Sequence, residues 1–250
     1  MPSYHIIVDL EMNPTSEILR SKCHGLKTET IELGAIKIDA STNQVTDTFT
    51  CVICPQFNNR IEPQITKLTG ITTREAKTGL LFEEALAVFI AWVGHFPSRF
   101  YSWSNTDLAQ LTKECAAKHI PFPDEFIDWV DFQAEYPKYL GYSEKRCLSL
   151  TDAAKLIGTS VSASKAHRAL YDAQVTSCLV LFVLTEEYKA YKNKLYNFLY
   201  SSEQPLTCSI GDASGGKLAA LLARMKSAED EREEPYYDSR FVGSVPVYIR

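Results

Sequence analysis

Three strand-like runs follow one another within the first 54 residues, with no helical spacing between them. Residues 4–11 (YHIIVDLE), 30–39 (TIELGAIKID) and 44–54 (QVTDTFTCVIC) are rich in β-branched and aromatic side chains. The turn-like Ser41-Thr42-Asn43 joins the last two, so an antiparallel meander is expected. The first two are separated by a polar loop, 13–29, longer than a tight hairpin needs. Afterwards helical spacing takes over. TKLTG ends a short helix with Gly70 beyond its last turn, and Phe82–Val93 places its apolar residues at helical intervals. RFYSW (99–103) and FIDWVDF (126–132) read as strands. Helices are expected from Asn105 or Thr106 to about Lys118, over 133–139, over 149–158 with Gly158 at its end, and from a Ser164 cap to about Leu199. Strands first, then strands alternating with helices, predict an α/β fold: a mixed sheet with helices on its faces.

After about Ser201 the composition changes. A linker-like stretch (SSEQPLTCSIGDASGG) precedes a short helix, a charged run and an aromatic tail. The expected organisation is one domain over 1–200 and a C-terminal extension over 201–250 of unknown role, which packs on the domain or mediates self-association. The first ten residues lack a basic n-region and a cleavage site, and no apolar run approaches the roughly 18 residues that span a membrane. A cytoplasmic chain with free thiols among its seven cysteines is expected, with no membrane partner. Cys51 and Cys54 form a single CxxC with no second pair, too few ligands for structural zinc.

The first strand carries the chemistry. Asp9 and Glu11 lie two apart among Ile6, Ile7, Val8 and Leu10. On a strand, residues two apart point to one face, so both carboxylates project together. Like charges so close need a shared cation or proton, and oxygen ligands suit magnesium or manganese. Asp107 follows the strand RFYSW at the start of a helix, at the carboxyl end of a strand, where open α/β sheets build their sites. Asp172 lies early in the last long helix, and His167 precedes it by five residues. In a regular helix the two would point about 140° apart; they converge better if His167 lies in the loop or first turn before it. A histidine there can act as general base near neutral pH. Taken singly, each has a plainer explanation: solvated edge acids, a helix N-terminal acid favoured by the dipole, an exposed polar face, a surface histidine.

Asp9-x-Glu11, Asp107 in SWSNTD, and His167 with Asp172 in HRALYD occur in an order and spacing that resemble the DEDDh family of 3′–5′ exonucleases, the ribonuclease T and proofreading-subunit superfamily. ELGAIKID resembles that family's second strand and ITKLTGIT its "lt-G-I" segment, so the resemblance covers roughly residues 4–190. Ser104 departs from the glycine many members carry after the tryptophan, a small change that puts little in doubt.

The resemblance implies a ribonuclease H-like fold, with a five-stranded mixed sheet of three antiparallel strands and then two parallel ones. It implies that Asp9, Glu11, Asp107 and Asp172 hold two divalent metal ions, Mg2+ or Mn2+, and that His167 is the general base. The implied reaction removes 5′-nucleoside monophosphates from the 3′ end of single-stranded nucleic acid. Met12, Leu68 and Ile71 are implied to hold the terminal nucleotide, and Trp103 to line the site; Leu68, Ile71 and Trp103 fit an ordinary core equally well. Members of the family often pair as homodimers, one subunit's basic patch serving the other's site. Net charge is −5, but residues 138–168 carry six bases against two acids, a local surplus that suits a phosphate backbone or simply a solvated helix surface. Two other functions stay open: a catalytically silent nucleic-acid-binding or regulatory module on the same fold, and a phosphodiesterase for short oligonucleotides or dinucleotides. DNA and RNA substrates are not distinguished.

Overall fold

The three early runs form β1 (Tyr4–Pro14), β2 (Thr28–Asp39) and β3 (Gln44–Val52), and two later runs form β4 (Ser98–Ser102) and β5 (Trp129–Asp131). The computed structural model describes residues 1–15, 24–140, 148–162 and 165–192, all within one compact unit, Met1–Lys194. The expected extension over 201–250, the Ser164 cap, the helix end near Leu199 and the basic residues Lys145 and Arg146 lie outside the described residues.

The strands make one sheet in the order β3-β2-β1-β4-β5. β1–β2 and β2–β3 are antiparallel, β1–β4 and β4–β5 parallel. This is the mixed ribonuclease H-like sheet expected from the sequence, with β1 at its centre. The helices are α1 (Pro63–Thr69), α2 (Thr73–Ala76), α3 (Phe82–Val93), α4 (Thr106–Ala117), α5 (Phe132–Leu140), α6 (Leu150–Leu156) and α7 (Ala169–Leu184).

Side-chain alternation along β1 divides the molecule. Ile6, Val8 and Leu10 join Leu33 and Ala35 of β2, Phe82, Leu86 and Phe89 of α3, and Leu111 of α4 in the main apolar core. Asp9 and Glu11 face the other way, toward α7. Gly34, directly opposite Asp9, makes that face passable for α7. A Cβ on Gly34 would fall 2.1 Å from the Leu170 backbone nitrogen, so only glycine lets the helix come this close.

β2 contains a bulge. Glu11 pairs with Glu32, but Met12 pairs with Thr30, leaving Ile31 as an extra residue. Opposed residues in an antiparallel pair share a face, so Glu32 lies with Glu11 toward α7 while Thr30 lies with Met12 on the other side. There Thr30 donates its N–H (2.9 Å) and hydroxyl (2.7 Å) to the carboxylate of Glu114 on α4. Glu114 also accepts from Gln110 and pairs with Lys118 at 2.7 Å, and Lys118 reaches Glu29 at 3.3 Å. The Glu29 carboxylate takes the N–H groups of Gln56, Phe57 and Asn58. This buried network ties the start of β2 to α4 and to the loop after β3.

Three sequence expectations change. FIDWVDF is not a continuous strand: Asp124–Ile127 is a 3-10 turn, and only Trp129–Asp131 pairs in the sheet. Phe126 turns into the core against Phe89 and Phe100 while Ile127 stays in solvent, which breaks the strand alternation. α5 accordingly starts at Phe132. The last helix begins at Ala169 and ends at Leu184, and Glu186 just beyond is left-handed (φ 62°), which no continuous helix allows. Gly70 and Gly158 take left-handed conformations after α1 and α6, as their positions predicted.

Candidate active site

β1 is hydrogen-bonded to β4 only as far as Ile7, so further along β1 the β4 side of the strand is free for side chains. Asp107, in the first turn of α4, occupies this gap. Its Oδ1 accepts the Leu10 N–H at 3.2 Å, placing a third carboxylate beside the backbone between Asp9 and Glu11. The fourth comes from α7. Asp172 lies one turn into that helix, and its Oδ2 accepts the backbone N–H of His167 at 3.0 Å. His167 stands before the helix in a left-handed conformation (φ 64°), which resolves the poor angle a continuous helix would impose. Its ring is exposed. Glu11, His167 and Asp172 each present one donor atom within 4.8 Å of the others.

The electrostatics show the same convergence. Burial first, then the charges of Asp107, Asp172, Glu11 and Glu32, hold the Asp9 carboxyl well above the usual carboxylate range. Glu11 is pushed up to about 8 by burial and then by Asp172, Glu32 and Asp107, with Arg168 acting in the opposite sense. Asp107 rises to about 7 through burial, although N–H groups of its own backbone and of Leu10 stabilise its anion. Burial also raises Asp172, against the hydrogen bond from His167. Among the described residues no lysine or arginine forms an ion pair with any of these four acids. A hard, oxygen-rich donor set with uncompensated negative charge fits a divalent cation such as Mg2+ or Mn2+, and contains no thiolate that would favour a soft metal.

The expected substrate contacts fare unevenly. Met12 follows Glu11 and is partly buried against the main core. Leu68 is 49% exposed at the end of α1. Ile71 is fully buried with Ile31, Ile61 and Ala76, so its side chain is core. Trp103 is buried edge-on against Phe132 and Tyr136, with its Nε1 lacking a hydrogen-bond partner. Two further residues escaped the sequence reading. Asn13 is buried and bridges to the start of α1: Oδ1 accepts the Glu62 N–H at 2.9 Å, and Nδ2 donates to the Arg60 carbonyl at 3.1 Å. Its signal was position, two residues past Glu11. Glu32 is buried directly opposite Glu11 and grips Arg168; its signal was a charge between Ile31 and Leu33.

Both the sequence and the fold have relatives among known proteins. The family model for RNase T exonucleases matches residues 6–179. The 3′-5′ exonuclease Snipper of Drosophila melanogaster is 24% identical over 219 residues, 77% of this chain and 76% of the relative. The probable 3′-5′ exonuclease KapD of Bacillus subtilis is 28% identical over 166 residues, 66% of this chain and 77% of the relative. Among solved structures, the nuclease domain of 3′hExo, a DEDDh family member bound to rAMP, superposes with TM-score 0.64 at 18% identity, covering 74% of this chain and 93% of that one. A full-length 3′-exonuclease superposes with TM-score 0.65 at 18% identity over 74% of this chain, which spans 62% of that longer protein. With a family match across most of its length, the chain belongs to the RNase T exonuclease family.

Proposed function

We propose that this chain is a metal-dependent 3′–5′ exonuclease that hydrolyses single-stranded nucleic acid to 5′-nucleoside monophosphates. The observation that carries the proposal is the meeting of four acids from β1, α4 and α7 with no lysine or arginine paired to any of them among the described residues. Asp9, Glu11, Asp107 and Asp172 would hold two divalent ions, Mg2+ or Mn2+. Bound there, such ions lower the pKa of an attacking water and stabilise charge on the oxygens entering and leaving phosphorus. His167 takes the water's proton as the P–O3′ bond breaks, and the departing O3′ is protonated from solvent. Its exposed ring and its place within reach of Glu11 and Asp172 suit that task. The partly exposed Leu68 and Met12 offer apolar contact to a terminal base, and the solved neighbour 3′hExo is bound to rAMP, a nucleotide of the kind the reaction would release. We assign the catalytic unit to residues 1–200 and treat 201–250 as an extension.

The test uses purified chain with 3′- or 5′-labelled single-stranded DNA and RNA oligomers, in Mg2+, Mn2+ or EDTA. Metal-dependent release of mononucleotides from the 3′ end is the expected result, and it also decides between DNA and RNA. Binding without degradation would replace the proposal with a silent binding module. Activity confined to oligomers a few residues long would replace it with a short-oligonucleotide phosphodiesterase.

A further inference from the structure

His167 is held in a backbone conformation that a residue with a Cβ seldom adopts, so neighbouring groups must impose it. On its own side, its N–H is taken by Asp172. On the other side the anchor is Arg168. The Arg168 Nε lies 3.1 Å from both carboxylate oxygens of Glu32, and Nη2 lies 2.5 Å from Oε1. This forked arrangement fixes orientation as well as distance. Glu32 Oε2 also accepts the Ala169 N–H at 2.9 Å. α7 has no side-chain cap from its own N-cap residue, so Glu32, which is 137 residues away in sequence, supplies one. Glu75 of α2 stands 3.7 Å from the same guanidinium.

Glu32 is 1% exposed, and the contacts with Arg168 and Ala169 engage both of its oxygens. It is therefore committed to the protein rather than to a cation. It also lies directly opposite Glu11 across β1 and β2, so one cross-strand register fixes both a proposed ligand and the anchor of the residue after His167.

We propose that Glu32 and Arg168 are positioning residues for His167: their ion pair, together with the Glu32 cap on α7, sets the imidazole over Glu11 and Asp172. The proposal rests on His167 being the general base. Its role is geometric: placing a catalytic group about 1 Å off can lower a rate on the order of 100-fold.

The experiment is a double-mutant cycle in the full chain. Arg168→Met and Glu32→Gln are each made in the wild-type and His167→Ala backgrounds, and single-turnover rates on a 3′-labelled oligomer are measured at saturating Mn2+. Arg168→Met is expected to lower Tm, because the buried Glu32 loses its cation, and, in the folded variant, to lower kcat about tenfold to 100-fold with KM and the Mn2+ requirement held, with no further loss of kcat in the His167→Ala background. Glu32→Gln keeps an acceptor for Ala169 and is expected to behave alike with a smaller loss. If Glu32→Gln does not fold, Arg168→Met still decides, because that side chain is partly solvent-exposed. Equal losses in both backgrounds, or a wild-type kcat in Arg168→Met, would overturn the positioning role and leave the exonuclease reading intact. A wild-type rate in His167→Ala alone would overturn the general-base reading, and this inference with it.

Discussion

Two groups of buried or half-buried acids border β2, and the protein treats them in opposite ways. Around Glu29 and Glu114 every need is met from within: Lys118 lies between the two carboxylates, and backbone N–H groups, a hydroxyl and an amide surround them. Around Asp9, Glu11, Asp107 and Asp172 the described residues supply backbone N–H groups, from Leu10, Asp107 and His167, and no lysine or arginine in an ion pair. The first group serves the fold: it binds β2, α4 and a loop together. The second works against the fold, since burying like charges without a partner is unfavourable. Acids retained at a loss of stability mark a place where charge is to be supplied from outside.

The largest effects should separate the groups by activity. Asp9→Asn or His167→Ala should lower turnover by about 100-fold to 10,000-fold while Tm is unchanged or higher, and wild-type rates in either would break the comparison. Next in size is the converse. Lys118→Met leaves two buried acids without their cation and should destabilise the fold by about 3–5 kcal/mol in urea titrations, with the Mn2+ requirement of the remaining folded protein unaltered. A smaller loss would mean the inner network is less dry than its burial indicates.

How far this could be foreseen differs between the groups as well. Asp9, Glu11, Asp107, His167 and Asp172 were all legible, because strand alternation, helix starts and a family-like order each point to them. The network around Lys118 was not, although Glu114 and Lys118 stand at i and i+4 on α4, a spacing that on most helices marks only a surface pair. Its partners arrive from Glu29 and Thr30, more than 80 residues away, and no local pattern records that. The same holds for the start of α7. Capping signals are sought within a few residues, and here the cap is Glu32 on another strand. In FIDWVDF, aromatic and β-branched residues gave a strand signal that Phe126 overrode by turning into the core.

Metal should give the third effect. Mn2+ at about 100 times its dissociation constant should stabilise the wild-type chain by about 2.7 kcal/mol, reversibly with EDTA, and should fail to do so in Asp9→Asn. The smallest effect concerns the metal-free protein. Glu11 and Asp107 hold protons to about 8 and 7 in the folded state, against about 4 when unfolded. The folded form then binds more protons across that window, so metal-free stability should fall as pH rises from about 4 to 8. Glu11→Gln should flatten the slope and, in EDTA at about pH 8, raise stability by about 1 kcal/mol, or roughly 2–4 °C. Glu114→Gln should move Tm the other way; a shift of the same sign in both variants would remove the contrast.

The bulge at Ile31 gives this contrast a consequence for chain length. It reverses the phase of β2, so that Glu32 and Thr30, two positions apart, serve opposite faces: one anchors α7 and the other holds Glu114. Deleting Ile31 would make Glu32 and Thr30 neighbours in a regular strand, where adjacent side chains point to opposite faces, so each would keep its side and only the bulge would go. Residues 28–32 should therefore tolerate the loss of this one residue better than a regular strand would: α7 and the inner network would stay tied to the sheet, and the cost would be the packing of Ile31 against Ile61, Ile71 and Ala76.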